Sequence, residues 1–207
     1  MEFRPWNAAG RYQGQIDIPL SETGEAQAAK LGDRLRDVTI TRAVSSQLVR
    51  ARSTAEAALG ENRKHILRID PRLQEIAHGD WEGLLAQQIA ERDPVTFQAW
   101  RDAPQTVQMP QGENLQQVLD RAWEGLAAAC DGLGKDDTLL VVAHDAVNRV
   151  LLCRIFGLGL DRLLSFRQAP TTLNLLEGDD VDNLAVVRLN DCQHHIPLFG
   201  EALHRAL

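Results

Sequence analysis

The chain has 207 residues, of which 44% are hydrophobic and 25% are charged, and its formal net charge is −7. This length and composition fit one globular domain and exclude the disordered and fibrous classes of protein. The negative net charge argues against nucleic acid or an anionic membrane as a partner, because both require a basic surface.

The three cysteines are widely spaced and show no metal-ligand pattern. Cys130, Cys153 and Cys192 form no CxxC motif, which is typical of reduced thiols in a cytoplasmic protein. The longest apolar runs, such as "TLLVVA", are too short to span a bilayer, and no signal peptide is visible. We therefore expect a cytoplasmic protein with no metal and no other cofactor.

The first half of the chain predicts helices alternating with short strands. Residues 1–20 predict a loop, after which Ser21 caps a helix over "ETGEAQAAKLGDRLRDV". "TRAVSS" and "HILRI" are predicted strands, and the helix "LVRARSTAEAAL" separates them. The loop "PRLQEIAHGDWEG" leads into two short helices, the second with Asp93 as its cap and Pro94 at its first position.

The second half predicts a long helix, a buried strand, a further helix and a hairpin. "ENLQQVLDRAWEGLAAAC" carries a continuous apolar stripe, and "TLLVVA" is typical of a strand buried on both faces. The helix "AVNRVLLCRIF" follows and ends at Gly157, before "TLNLLE" and "LAVVRLN" pair as a hairpin. The alternation predicts a three-layer α/β/α fold with a mostly parallel sheet.

His144 is the first candidate for chemistry. It stands where a buried strand meets a helix N-terminus, which is the usual position of ligand sites in open α/β sheets. The helix dipole favours an anion at this point. A capping or core histidine is the alternative interpretation, and it stays open.

Arg50 and Glu75 are the second and third candidates. Arg50 and Arg52 follow a strand but stand two residues apart, so at most one of them faces a common site, where it could clamp a phosphate. Glu75 lies in a loop beside Ile76 and Trp81, which would desolvate its carboxyl, raise its pKa and suit it to general acid catalysis. Solvated surface charges are the alternative for each.

The order of these motifs resembles the histidine phosphatase superfamily, the group of cofactor-dependent phosphoglycerate mutases and related phosphatases. The resemblance rests on "WNAAGRYQGQIDIPLSETG", "SSQLVRARSTA", "LQEIAHGDWEG" and His144 between a strand and a helix. It extends from Trp6 to the last hairpin. It implies a phosphoglycerate mutase-like single domain over residues 1–207, with a helical lid insertion at about 84–112.

The resemblance also implies roles for individual residues. In the family a phosphoryl group passes to a histidine nucleophile and then to water, or back to a hydroxyl. His144 corresponds to the second histidine, a hydrogen-bond donor to the transition state, Arg50 to the second phosphate arginine, and Glu75 to the acid that protonates the leaving oxygen. The residues that correspond to substrate-binding positions are Asn7, Arg11, Gln13 and Gly14.

The chain departs from the family pattern at its start and after His144. The first strand of the family ends in Arg-His-Gly shortly before Trp-Asn, and counting back from Trp6 puts Met1 at the nucleophilic histidine. We therefore expect the nucleophile and the central first strand to be absent from this sequence, with the true start upstream. Asp145 is a milder departure, because Gly is more common after the histidine.

Several functions stay open at this point. A phosphomonoesterase acting through a phosphohistidine is favoured by the "GDWEG" loop and the modest insert after Trp81. The alternatives are a phosphoglycerate mutase and a truncated, non-catalytic protein that binds phosphorylated ligands. His78 as a substitute nucleophile is a further alternative. The expected partner is a small phosphorylated metabolite, and a homodimer is left open.

We predict that the 207-residue chain hydrolyses p-nitrophenyl phosphate negligibly and shows no burst of phosphohistidine, because the nucleophile is missing. A colorimetric assay and acid-quenched labelling would measure the two quantities. Turnover that His144→Ala abolishes would contradict the prediction. Translation of the DNA upstream of the Met1 codon is expected to give an apolar stretch ending in Arg-His-Gly, and a stop codon directly upstream would favour the truncated protein.

Overall fold

A computed structural model describes residues 10–195 of the chain. The expectation of a missing first strand was based on residues 1–5, which lie outside this range. The predicted substrate residue Asn7 also lies outside the described residues.

The described residues form six α-helices and five β-strands. The helices are α1 (Glu22–Arg34), α2 (Val49–Leu59), α3 (Ala86–Arg92), α4 (Pro94–Asp102), α5 (Leu115–Cys130) and α6 (Asp145–Ile155). The strands are β1 (Arg42–Ser45), β2 (Leu67–Ile69), β3 (Leu139–Val142), β4 (Leu173–Glu177) and β5 (Ala185–Asp191). Between residues 10 and 195, no helix is both long enough and apolar enough to cross a bilayer.

Three of the strands form a parallel sheet in the order β2-β1-β3. Val44 of β1 lies opposite Val141 of β3, and Ser45 lies opposite Ile69 of β2. The helices between these strands provide the crossovers that a parallel sheet requires. The alternation of predicted strands and helices therefore anticipated this sheet correctly.

Helices cover both faces of the parallel sheet. Successive side chains of a strand point to opposite faces, and β3 shows this alternation clearly. Leu140 packs toward Leu31 of α1, whereas Leu139 and Val141 pack toward Ala129 of α5. The three-layer α/β/α architecture predicted from the sequence is confirmed.

Strand β3 is less buried than its apolar sequence predicts. All the side chains of Leu139–Val142 are only half-buried. Within residues 10–195, β3 pairs with β1 alone, so its other edge lacks a neighbouring strand. The hairpin of β4 and β5 forms a separate antiparallel sheet, although Leu173 and Leu140 pack against the same apolar cluster.

The predicted helix boundaries hold best where a cap marks them. The Ser21 side chain accepts the backbone N–H of Gly24 at 3.2 Å and begins α1 as predicted. The helix ends at Arg34, earlier than predicted, and Val38 is exposed instead of lying on the buried stripe. Asp93 caps α4 as predicted.

The segment after the Glu75 loop forms the two short helices that the sequence predicts, α3 and α4. Trp100 of α4 is buried and Ile89 of α3 is buried with it in the main apolar core. These helices are thus packed onto the domain through apolar side chains. The function of residues 84–112 as a lid stays a prediction.

Candidate functional site

The carboxyl ends of β1, β2 and β3 lie at one edge of the sheet. Ser46 follows β1, and its N–H donates to the carbonyl of Val142 at 3.0 Å. Asp70 follows β2, and its N–H donates to the carbonyl of Ser45 at 2.9 Å. Ligand sites of open α/β sheets form at this edge, so the loops that start here are expected to carry the functional side chains.

His144 lies at this edge as the N-cap residue of α6. Its ring is buried, and Nε2 lies 2.8 Å from the hydroxyl of Ser46. Burial, followed by the positive charges of Arg50 and Arg121, lowers the pKa of His144 well below its usual value. The imidazole is therefore neutral at pH 7, with one nitrogen that donates and one that accepts a hydrogen bond.

Arg50 lies in the first turn of α2 and reaches into the loop that precedes α1. Its Nη2 donates to the carbonyl of Gly14 at 2.7 Å, and its Nη1 donates to the carbonyl of Ile16 at 2.9 Å. These contacts use two of the five N–H groups of a guanidinium. Arg52 instead lies on the solvent side, with its Nε 3.9 Å from the carboxylate of Glu56. Only one of the two arginines faces the site, as their spacing predicted.

The Glu75 carboxyl lies at the N-terminus of α6. It accepts the backbone N–H of Ile76 at 3.0 Å and that of Ala146. Burial, followed by the negative charge of Asp145, raises the pKa of Glu75 to about 7 against the opposing effects of these N–H groups and of Arg50. A carboxyl with this pKa is partly protonated at neutral pH and can donate a proton.

The structure thus brings three predicted residues together. His144 is the N-cap residue of α6, and the Glu75 carboxyl accepts the N–H of Ala146 in the same turn. Arg50 is near enough for its charge to act on the pKa of both residues. Ser46 adds a hydroxyl to this group. The roles that the family resemblance implies for them stay predictions.

Gly14 lies beside this group, since its carbonyl accepts from Arg50. The backbone at Gly14 also approaches the Glu82 side chain very closely. Gly14 has φ +53°, and an added Cβ would stand 2.0 Å from Oε1 of Glu82. The same Glu82 oxygen accepts the N–H of Gln15 at 2.9 Å and that of His78 at 3.1 Å. A side chain at position 14 would therefore displace the carboxylate that ties this loop to the Glu75 loop.

Arg11 and Gln13, the other predicted substrate residues, contact the backbone of neighbouring loops. Arg11 donates from Nη1 to the carbonyl of Gly83 at 2.7 Å. The carbonyl of Gln13 accepts the N–H of Ile16 at 3.1 Å. Substrate binding by Arg11 and Gln13 stays a prediction.

His78 lies in an aromatic cluster beneath α4. Its ring is 4% exposed and stands edge-on to Tyr12 at 5.0 Å and to Trp100 at 5.9 Å, measured between ring centroids. Burial lowers the pKa of His78 to about 4. A nucleophile must reach its substrate, so this position does not favour His78 as a substitute nucleophile.

An ion pair holds the Glu75 loop in place. Arg121 of α5 donates to the carbonyls of Arg72 at 2.7 Å, Gln74 at 2.6 Å and Glu75 at 3.0 Å. It also pairs with both carboxylate oxygens of Glu113, at 2.7 and 2.8 Å. The two side chains are only 17% and 20% exposed. This bidentate pair fixes the backbone from which the Glu75 carboxyl projects.

Backbone atoms of two loops also touch near the site. Gly79 has φ +57°, and an added Cβ would stand 2.0 Å from the carbonyl oxygen of Pro110. The N–H of Asp80 donates to that carbonyl at 2.9 Å, and the N–H of Glu113 donates to the carbonyl of Ala77 at 2.9 Å. The Glu75 loop is therefore joined directly to the segment that precedes α5.

Some of these residues could have been found in the sequence and others could not. Ser46 is the last residue of the predicted strand "TRAVSS", and parallel strands end at the same edge as the strand before His144, so its position could have been inferred. Arg121 gives no such signal, because it lies on an amphipathic helix and its partners are carbonyl groups far away in the chain. Glu82 lies in a loop, where carboxylates are usually solvated.

Comparison with known proteins gives consistent relatives. A family model described as the histidine phosphatase superfamily (branch 1) matches residues 4–192. Phosphoserine phosphatase 1 of Hydrogenobacter thermophilus is 30% identical over 202 residues, which is 98% of this chain and 94% of that protein. A probable phosphoglycerate mutase GpmB of Erwinia tasmaniensis is 35% identical over 153 residues, and the match covers 74% of this chain and 70% of that protein. The solved structure of Bacillus stearothermophilus YhfR has a TM-score of 0.85 and 33% identity, and the match covers 92% of this chain and 93% of that one.

We expect the stability contribution of Glu75 to fall as pH rises. The folded protein keeps a proton on Glu75 up to about pH 7, whereas an exposed glutamate releases it near about pH 4.3, so between these values the folded state binds more protons. The free energy of unfolding should lose about 2–3 kcal/mol from this residue between pH 5 and pH 8.

Urea unfolding of wild type and Glu75→Gln across this pH range would measure the loss as the difference between the two proteins. Glu91→Gln, which changes an exposed glutamate of α3, is the matched control and should follow wild type. Parallel pH dependences for wild type and Glu75→Gln would contradict the raised pKa.

We also expect Arg121→Met to lower the free energy of unfolding by about 3 kcal/mol or more, because it leaves a partly buried carboxylate and several carbonyls without their donor. Arg92→Met, at an exposed position of α3, should change it by less than about 0.5 kcal/mol. Thermal or urea unfolding provides the comparison. Equal losses in both variants would show that the Arg121 contacts contribute little.

Proposed function

The chain belongs to the histidine phosphatase superfamily (branch 1), and on that premise we propose that it is a phosphomonoester hydrolase of the kind that acts through a phosphohistidine intermediate. We propose further that the 207-residue chain is inactive by itself, because Met1 stands at the position of the nucleophilic histidine. The observation that supports this proposal best is the meeting of Arg50, Glu75 and His144 at one edge of the sheet. A guanidinium and a neutral imidazole can bind phosphoryl oxygens, and a proton-donating carboxyl can protonate the leaving oxygen. The proposed substrate is a small phosphorylated metabolite.

Arg50 would bind the phosphoryl group. Its contacts with Gly14 and Ile16 hold the guanidinium in place and occupy two of its N–H groups. The remaining N–H groups can bind phosphoryl oxygens in the bidentate geometry that arginine favours. His144, neutral and fixed next to Ser46, would add a hydrogen-bond donor to the same oxygens. Donors fixed before the reaction stabilise the charge of the transition state without reorganising.

Glu75 would protonate the leaving oxygen. When the bond between phosphorus and that oxygen breaks, transfer of the Glu75 proton produces a neutral alcohol instead of an alkoxide. The resulting carboxylate can then accept a proton from the water that attacks the phosphohistidine, which restores the acid. A pKa of about 7 suits both steps near neutral pH.

The attack itself requires a histidine nucleophile, and the positions of His144 and His78 favour neither of them for this role. The family resemblance assigns this role to the position of Met1, outside residues 10–195. His144 is engaged by Ser46, and His78 is buried in an aromatic cluster. The proposed contribution of the described residues is therefore binding of the phosphoryl group and proton transfer.

A phosphoglycerate mutase is the second candidate function, because several relatives have that name. A mutase returns the phosphoryl group to a second hydroxyl, whereas a hydrolase passes it to water. The relative named as a phosphatase matches nearly the whole chain, and the relative named as a mutase matches about three quarters of it. This difference favours the hydrolase.

Binding of orthovanadate tests the proposal. Vanadate adopts the five-coordinate geometry of a phosphoryl transition state, and a catalytic site binds such an analogue more tightly than it binds its ground-state counterpart. We expect wild type to bind vanadate at least about 10-fold more tightly than inorganic phosphate, measured by titration calorimetry. Equal affinities would favour the non-catalytic phosphate-binding alternative, and no binding of either anion would contradict the proposal.

Two arginine variants provide the matched comparison. Arg50→Lys should weaken vanadate binding by about 10- to 100-fold, because a charge-assisted hydrogen bond contributes roughly 1.5–3 kcal/mol. Arg52→Lys, two residues along α2 on the solvent side, should bind as wild type does. Equal effects of both substitutions would argue against a phosphate contact by Arg50.

A further inference from the structure

Asp145 is the first residue of α6 and directly follows His144. Its Oδ1 accepts the Nε–H of Arg149 at 2.9 Å, and the side chains of both residues are only 9% exposed. Arg149 also donates to the carbonyl of Phe166. The Asp145 carboxylate is thus buried, fixed in one orientation and paired with a guanidinium that is always protonated.

The second oxygen of this carboxylate is not satisfied. Among residues 10–195, Oδ2 of Asp145 has no hydrogen-bond partner although it is buried. A buried acceptor without a partner costs free energy, so its presence calls for a functional reason. The neighbouring functional group is Glu75, whose carboxyl accepts the N–H of Ala146, the residue after Asp145.

Two carboxyl groups therefore share the first turn of α6. The N-terminus of a helix stabilises a negative charge, and Asp145 already provides one there. A second carboxyl nearby then retains its proton, because two like charges in a partly buried site repel each other. We propose that Asp145 is a positioning residue that keeps Glu75 in its proton-donating form, which rests on the proposed function of Glu75 as the acid.

Other charged groups around Glu75 do not account for this effect. They come from α2, from α5 with the segment before it, and from the N-cap of α6: Arg50, Arg121, Glu113 and His144. Arg50 lowers the pKa of Glu75, and His144 is neutral at pH 7. Glu113 has both carboxylate oxygens bonded to Arg121, whereas within residues 10–195 Asp145 uses only Oδ1 in its ion pair and leaves Oδ2 without a partner. Burial is the main cause of the raised pKa of Glu75, and Asp145 is the negative charge that adds to it.

The test is a direct titration of Glu75 in the full chain. Glutamate labelled with ¹³C at its carboxyl carbon reports each residue's ionisation by NMR, and the signal missing from Glu75→Gln identifies Glu75. In Asp145→Asn, we expect the titration midpoint of Glu75 to fall by about one pH unit. Asp182→Asn is the control, because it makes the same change in net charge at an exposed residue that pairs with Arg154 of α6. It should leave the midpoint unchanged.

Two more variants separate charge from structure. Asp145→Glu keeps the charge and should keep the raised midpoint. Asp145→Asn combined with Arg149→Met removes the whole ion pair and leaves no unpaired guanidinium. The double variant should lower the midpoint as Asp145→Asn does, and it replaces the single variant if the single variant does not fold. A midpoint that stays within about 0.3 pH units of wild type in these charge-removing variants would overturn the proposal.

The titration requires neither turnover nor ligand. If wild type fails to bind vanadate but the midpoint falls in Asp145→Asn, the proposed function is wrong and the coupling between the two carboxyls is right. If vanadate binds and the midpoint does not move, Glu75 keeps its place in the site and Asp145 loses the role proposed for it.

Discussion

The geometry of the site depends on the ion pair between Arg121 and Glu113. Arg121 donates to three carbonyls of the loop after β2, and Glu113 accepts the N–H of Ala77 from the same loop at 2.9 Å. A loop cannot satisfy its own backbone groups as a helix does, so it needs partners of this kind to keep one conformation. The Glu75 carboxyl is held at the N-terminus of α6 because its backbone is held by α5.

Burial determines the charge state of each functional side chain. Desolvation disfavours the charged form, which lowers the pKa of His144 and of Arg50 and raises that of Glu75. The site therefore holds a neutral imidazole and a carboxyl poised near neutrality, while the guanidinium stays charged because its pKa is intrinsically very high. An anion that enters the site would therefore meet the charged guanidinium of Arg50 beside a Glu75 carboxyl that is only partly ionised near pH 7.

Much of this arrangement could be predicted from the sequence, for an identifiable reason. His144 and Arg50 follow predicted strands, and parallel strands end at one edge of their sheet, so the strand pattern made both candidates for that edge and the family resemblance joined them in one site. Contacts that join loops to distant backbone carbonyls could not be predicted, and Arg121 is the main example. The half-exposure of β3 was also missed, because an apolar run indicates a preference for burial without showing how many neighbours surround the strand.

The close contact at Gly79 has a consequence for protein engineering. Gly79 contacts the carbonyl of Pro110 with no room for a side chain. The Glu75 loop and the end of the 84–112 segment therefore have to be exchanged together or left together in an engineered protein. Helices α3 and α4 lie between these two positions in the chain, and Trp100 of α4 stands edge-on to His78, the residue before Gly79. Chimeras that exchange residues 86–106 with those of a relative would leave the junction intact, and exchanges that cut through 108–113 would not.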